Sequence, residues 1–137
     1  MKVFFDTNVY AGEVSGGTAC QAVLVATSVA GWCVYTSRHV VEELTRVIVE
    51  RLNLSRRTAH LAGRRVGRRA MVVDPRDTRR IVPDDPVDTP VLRAALFSGA
   101  DYLVTNDRHL LSLDPYEKLR IVSLASYYRL LEERGLL

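Results

Sequence analysis

Cysteine is scarce in this sequence, and it has no long apolar run. The two cysteines, Cys20 and Cys33, lack the spacing of metal ligands and are too few for a disulfide scaffold. We expect both to pack as small buried apolar side chains. The apolar runs are shorter than the roughly 18–20 residues that cross a bilayer, and Asp6 interrupts the apolar start before a secretory signal forms. We therefore expect a cytoplasmic protein that does not use a membrane.

Lysine is equally scarce, since only two of the 19 basic residues are lysines. Arginine forms planar, bidentate contacts with phosphate that lysine cannot form. Twelve arginines but only five acids lie between Arg38 and Arg80, whereas acids outnumber bases in the rest of the chain. The net charge of +3 therefore combines a basic middle segment with an acidic remainder.

Short apolar strands alternate with helical segments along the 137 residues. The predicted strands are Lys2–Phe5, 32–35, Met71–Val73, Tyr102–Val104 and Arg120–Val122. Helical spacing predicts helices over 18–30, 37–52, 55–70, from about 88 to 98, 108–113 and 123–134. The length and the alternation predict a single α/β domain over 1–137. We expect a parallel sheet of about five strands, sandwiched by helices on both faces.

Acidic residues follow or approach the carboxyl ends of these strands. Asp6 follows the first strand, Asp107 follows the fourth, and Glu43 lies early in the helix after the second. Asp85 and Asp88 precede the helix before the fourth strand. Ligands of parallel sheets bind at this edge. Oxygen ligands without cysteine or histidine select Mg²⁺ or Mn²⁺ over Zn²⁺, so the pattern predicts a site for one of these cations.

Each acid also has a structural interpretation. Asp6 and Asp88 are placed to cap helices, which is compatible with metal binding because a carboxylate has two oxygens. Glu42 faces a different direction from the adjacent Glu43, and the apolar residues around Glu43 favour it as the ligand. Asp101 precedes the fourth strand, so we expect it to form a structural hydrogen bond at the opposite edge.

Four motifs together resemble those of the PIN-domain nucleases: DTNV at 6–9, TSRHVVEEL at 36–44, DPVDTPVL at 85–92 and GADYLVTNDRHLL at 99–111. The resemblance includes the closing segment RIVSLASYY and is greatest to the toxins of toxin–antitoxin pairs, similar to the VapC toxins. It implies a PIN-like fold and Mg²⁺- or Mn²⁺-dependent cleavage of single-stranded RNA by a metal-activated water. It also implies a homodimer and a small protein antitoxin that covers the site.

The resemblance assigns catalysis and metal binding to four acids: Asp6, Glu43, Asp88 and Asp107. Thr89 stands where the third motif usually has an acid or an amide, which leaves Asp85 as the alternative to Asp88. The polar positions that support the acids are Asn8, Thr105 and Asn106.

The helix over 55–70 carries its arginines on one arc and apolar residues on the opposite arc. The arginines of this arc are Arg57, Arg64, Arg65, Arg68 and Arg69. They are candidates for contacts with nucleic-acid phosphates, and the alternative is a solvated helix face.

Other functions fit the residues less well. A receiver-type phosphoacceptor needs an acidic pair after the first strand, and a haloacid-dehalogenase phosphatase needs an acid where Asn8 stands. The stronger alternative is a PIN fold that has lost catalysis and binds RNA or protein. Metal titration separates this alternative from the nuclease.

Overall fold

The computed structural model describes residues 1–75 and 89–137. Within them, five strands form one sheet in the order β3-β2-β1-β4-β5, and every neighbouring pair is parallel. The strands are β1 (Lys2–Phe5), β2 (Cys33–Ser37), β3 (Met71–Val73), β4 (Tyr102–Val104) and β5 (Arg120–Val122). All five were predicted, and only β2 differs, since it begins one residue later and ends two residues later than expected.

Helices flank this sheet, which confirms the predicted α/β class. The described helices are α1 (Thr7–Val14), α2 (Thr18–Val29), α3 (Arg38–Glu50), α4 (Arg56–Arg69), α5 (Thr89–Ser98), α6 (Arg108–Leu111) and α7 (Leu124–Glu133). Only α1 was not predicted, because eight residues are too few for a clear helical period. None of the helices in the described ranges has the length and apolar character needed to cross a membrane.

Serine side chains determine where three helices begin. Ser37, Ser55 and Ser123 precede α3, α4 and α7, and each hydroxyl accepts a hydrogen bond from a backbone N–H in the first turn of its helix. Such N-caps satisfy donors that have no partner inside the helix. The start of α3, which carries Glu43, is therefore determined locally.

The core lies around the central strands. Val3, Phe4 and Phe5 of β1 are fully buried, as are Leu103 and Val104 of β4. This continuous burial is expected for parallel strands covered on both faces. A central, fully buried β1 holds the residue that follows it, Asp6, in a rigid position.

The two cysteines differ in environment. Cys20 is buried, as expected, but Cys33 is exposed, so the expectation that both are buried was wrong for Cys33. Cys33 begins β2 at the amino edge of the sheet, where its pair with Lys2 leaves the side chain uncovered.

The order in which strands are added to the sheet reverses between β1 and β4. From β1 the chain passes to β2 on one side, whereas β4 pairs with β1 on the other side, with Phe5 opposite Val104. The Asp6 N–H donates to the Val104 carbonyl at 3.0 Å, and the Thr105 N–H donates to the Val122 carbonyl at 3.0 Å. In open parallel sheets such a switch point opens a crevice at the carboxyl ends of the strands. Asp6 and Thr105 lie side by side at this crevice.

A partly buried ion pair links α1 to α4. Arg69 donates from both terminal nitrogens to the Glu13 carboxylate, at 3.0 and 2.8 Å, and its guanidinium lies 5.9 Å from the centre of the Tyr10 ring. The Glu13 side chain is only 8% exposed. Bidentate geometry and desolvation make this contact stronger than a surface ion pair.

Removing one partner of this pair leaves a charge unpaired. We expect Glu13→Gln to lower the free energy of unfolding by about 2–4 kcal/mol, below the range for a fully buried pair because Arg69 is partly exposed. The control is Glu42→Gln, which breaks the exposed pair with Arg38 on α3 and is expected to change stability by less than about 0.5 kcal/mol. Urea unfolding measures the free energy of unfolding of both variants. Equal losses of stability in Glu13→Gln and Glu42→Gln would contradict the prediction.

Candidate active site

Asp6 lies at the carboxyl end of β1 and is only 6% exposed. It caps α1, since its Oδ1 accepts a hydrogen bond from the Thr7 N–H at 2.7 Å. Its Oδ2 accepts a hydrogen bond from the Thr105 hydroxyl at 2.7 Å. The capping role considered from the sequence is therefore present, and each oxygen keeps a lone pair for another partner.

The Thr105 hydroxyl connects the polar residues of this crevice. It donates to Asp6 and accepts a hydrogen bond from the Asp107 N–H at 3.0 Å. Asn8 Nδ2 donates to the same oxygen over a longer distance of 3.5 Å. Thr105 is completely buried, so its hydroxyl holds the segments after β1 and β4 together.

Asp107 caps the short helix α6. Its Oδ1 accepts hydrogen bonds from the backbone N–H groups of His109 and Leu110, at 2.9 and 3.1 Å. Its Oδ2 accepts none from a residue that the structure describes. One oxygen therefore fixes the side chain, and the other is available to a ligand.

Glu43 reaches the crevice from α3 and is half-buried. Its Oε1 accepts a hydrogen bond from Arg46 at 3.4 Å. His39 Nε2 lies 3.1 Å from Oε2 but forms no hydrogen bond with a described residue. Glu43 therefore has cationic or imidazole neighbours one turn away on both sides along its own helix.

A cavity of about 390 Å³ joins these residues. Asp6, Glu43 and Asp107 line it together with Asn8, so the structure brings four of the predicted site residues to one place. The remaining described lining residues are Thr7, Ala11, Gly12, Ser15, Val47, Arg51 and Leu52.

The other predicted site residues have different positions. Thr105 lies buried behind Asp6 and acts through its hydrogen bonds. Asn106 accepts a hydrogen bond from the Leu124 N–H at 3.1 Å, which ties the end of β4 to α7. Asp85 and Asp88 lie outside the described residues. Asp101 forms the expected structural hydrogen bond, since its Oδ2 accepts from the Lys2 N–H at 2.8 Å.

Burial raises the pKa of Asp6 above the usual range of an aspartate. The hydrogen bonds from Thr105 and Thr7 act in the opposite direction, and the negative charges of Glu43 and Asp107 raise the pKa further. A cation bound in the cavity would compensate this accumulated negative charge.

The donors around the cavity fit a hard divalent cation. They are carboxylate, amide and hydroxyl oxygens, and no cysteine or histidine is among its described lining residues. The buried Thr7 hydroxyl has no hydrogen-bond partner among the described residues. In the described ranges, no three His, Cys, Asp or Glu side chains are close enough to share one ion. A shared ion therefore requires side-chain movement, for which Glu43, a half-buried residue with a longer side chain than Asp6 and Asp107, is best placed.

The interpretation of the sequence missed Thr7, Ser15 and Arg51 as lining residues. Arg51 carries a signal that could have identified it, because it follows Glu43 by eight residues and shares its helix face. Thr7 and Ser15 belong to α1 and its cap, and without this helix the sequence does not place them at the cavity.

The predicted arginine face of α4 divides into two groups. Arg69 and Arg65 contact Glu13, at 2.8 and 3.7 Å, so Arg69 in particular is used by the fold. The remaining members are exposed and form no ion pair with another described residue. They are Arg57, Arg64 and Arg68.

The raised pKa of Asp6 makes stability depend on pH and on metal. Because the folded state holds this proton more tightly than the unfolded chain, ionisation of Asp6 lowers stability as the pH rises above the usual aspartate range. We expect metal-free Asp6→Asn protein to unfold a few degrees above the parent near neutral pH. This difference in unfolding temperature between Asp6→Asn and the parent should shrink as the pH falls toward the ordinary aspartate pKa. Mg²⁺ should raise the unfolding temperature of the parent but not that of Asp6→Asn.

The control is Asp101→Asn, the same change at the opposite edge of the sheet, for which we expect the pH and Mg²⁺ responses of the parent. Differential scanning calorimetry with and without EDTA measures all three proteins. Identical pH profiles for Asp6→Asn and the parent would contradict the prediction.

Comparison with known proteins agrees with this geometry. No curated protein matches the chain significantly. The family profile described as "PIN domain" matches residues 2–109, which include Asp6, Glu43, Thr105 and Asp107. Membership of this family indicates a nuclease-type function. The match covers most of the chain, and the chain therefore belongs to the PIN-domain family.

Proposed function

We propose that this protein is a divalent-metal-dependent endoribonuclease that hydrolyses phosphodiester bonds of single-stranded RNA. The observation that carries the proposal is the convergence of Asp6, Glu43 and Asp107, from three separate segments, on one cavity lined by oxygen donors. A buried acid with a raised pKa in a cavity is typical of a functional site.

In the proposed reaction the acids hold the cation and the polar residues hold the acids. Bound Mg²⁺ or Mn²⁺ supplies an activated water and stabilises charge on the phosphate oxygens. Asp6 and the free Oδ2 of Asp107 would hold the cation, and Glu43 would complete the set by turning from His39 and Arg46. Asp88, or alternatively Asp85, is the further acid that the motifs assign. No side chain of the site is needed as a covalent nucleophile.

Thr105 and Asn8 have positioning roles in this proposal. By donating to Asp6 and accepting from the Asp107 N–H, the Thr105 hydroxyl keeps both carboxylates oriented toward the cavity. Asn8 lines the cavity and has amide donors and an acceptor that can orient water.

RNA as substrate is supported by the motifs and by the charge distribution. The exposed arginines Arg57, Arg64 and Arg68 attract a phosphate backbone, whereas the acids repel it until a cation is bound. The motif resemblance further supports a VapC-like toxin that forms a homodimer and is neutralised by a small antitoxin protein.

One observation favours a second candidate, a PIN fold that binds RNA or protein without catalysis. Glu43 contacts His39 and Arg46, and the described acids do not share one ion as they stand. Calorimetric titration with Mg²⁺ and Mn²⁺ separates the two, because only the nuclease requires specific metal binding that Asp6→Asn removes.

Loss of a metal-binding carboxylate should abolish cleavage. We expect the parent to cut labelled single-stranded RNA in Mg²⁺ and to be inactive in EDTA. Asp6→Asn, Glu43→Gln and Asp107→Asn should each lower the rate by about 100-fold or more. Glu42→Gln, at an exposed neighbouring carboxylate, should retain the parental rate. Undiminished Mg²⁺-dependent cleavage by Asp6→Asn would contradict the proposed function.

The toxin role predicts an effect on growth that depends on the same carboxylate. Induced expression of the parent in bacteria should arrest growth, and expression of Asp6→Asn at the same protein level should not. Colony counts and optical density measure the effect. Equal arrest by the two proteins would contradict toxicity through RNA cleavage.

A further inference from the structure

The cavity extends well beyond the three acids. On the α3 side its lining residues are Glu43 and Val47 of the helix and Arg51, which caps its carboxyl end, at intervals of four residues. On α1 they run from Asn8 through Ala11 and Gly12 to Ser15, beyond the end of the helix. Eight helical residues span about 12 Å. The cavity is therefore a groove between α1 and α3, acidic at one end.

The opposite end of the groove is basic. Arg51 is the one cationic residue among the described lining residues, and it is exposed. It forms no ion pair or side-chain hydrogen bond with another described residue. The two arginines within α3 do form such pairs, Arg38 with Glu42 and Arg46 with Glu43 and Glu50. The guanidinium of Arg51 is therefore available to an anion.

The middle of the groove is lined by short side chains. Ala11, Gly12 and Val47 separate the acids from Arg51, and none of them is charged. A polymer with regularly spaced charges can pass along such a surface with one charge at each end of the groove. The rise of about 12 Å between the backbone positions of Glu43 and Arg51 corresponds to about two to three nucleotides of a nucleic-acid strand.

We propose that Arg51 binds a backbone phosphate of the RNA strand, two to three nucleotides from the phosphodiester held at Asp6, Glu43 and Asp107. This inference rests on the proposed function and adds a second contact to it. A planar guanidinium with several free donors suits bidentate binding of a phosphate. The contact would place the strand along the α1–α3 groove and offset the repulsion between the acids and the backbone.

Arg51 also caps the carboxyl end of α3, where a cation interacts favourably with the helix dipole. This structural role predicts a change in stability without a change in RNA binding. The experiment therefore needs a measurement of binding that depends on charge.

Binding is measured by fluorescence anisotropy with an eight-nucleotide RNA over a series of salt concentrations. Every protein carries Asp6→Asn to prevent cleavage. We expect Arg51→Gln to weaken binding about three- to tenfold and to reduce the slope of log affinity against log salt by about 0.7. Arg51→Lys should keep the slope but bind more weakly than arginine. The matched control is Arg129→Gln, an exposed arginine of α7 that does not line the groove.

A second measurement uses proteins with Asp6 intact and substrates of two lengths. Arg51→Gln should raise KM on the eight-nucleotide RNA with little change in kcat, whereas a dinucleotide, too short to reach Arg51, should be cleaved as by the parent. Equal affinities and slopes for Arg51→Gln and Arg129→Gln would overturn the proposal, as would an equal loss on both substrates. If the parent itself cleaves no RNA in Mg²⁺, the proposed function fails, whereas intact cleavage without an effect of Arg51→Gln overturns only the contact at Arg51.

Discussion

The hydroxyl of Thr105 is the contact on which the geometry of the site depends. It donates to a buried Asp6 oxygen and accepts from the Asp107 N–H, so one atom couples the residue after β1 to a residue after β4. The two strands already pair through Phe5 and Val104, and the hydroxyl extends this order beyond their ends. Because Thr105 is fully buried, water does not compete for these hydrogen bonds. Two carboxylates that repel each other are thereby kept on the same cavity.

Electrostatics connects this site with the rest of the molecule. Burial raises the pKa of Asp6, and the negative charges of Glu43 and Asp107 raise it further. Under the proposed function, a bound cation would compensate this negative charge. Two arginines near this acidic centre have different roles. Arg69 neutralises Glu13 and holds α1 in place, whereas Arg51 lies at the far end of the groove between α1 and α3. The small net charge therefore hides a local separation of charge that suits a phosphate backbone.

Much of the fold was predictable because its signals are local. The apolar strands Lys2–Phe5 and Tyr102–Val104 end at polar residues, and serine caps at Ser37, Ser55 and Ser123 mark where helices begin. The helix α1 was not among the predicted helices, because its eight residues are too few for a clear helical period, although Asp6 was considered as a helix cap. Without α1, the sequence could not associate Ser15 with the site. The roles of Asp85 and Asp88 stay predictions, since these residues lie outside the described ranges.

The sequence by itself determined the α/β class, the alternation of strands and helices, and the family motifs, because periodicity, caps and residue types are properties of neighbouring positions. It also placed Asp6, Glu43 and Asp107 near strand ends. Only the tertiary structure decided that β1 and β4 are neighbours, that Thr105 joins Asp6 to the Asp107 backbone, and that Arg69 belongs to Glu13 while Arg51 shares a groove with the acids. These relations connect residues up to about a hundred positions apart. Their physical cause is the pairing and packing of whole elements, which no local pattern specifies.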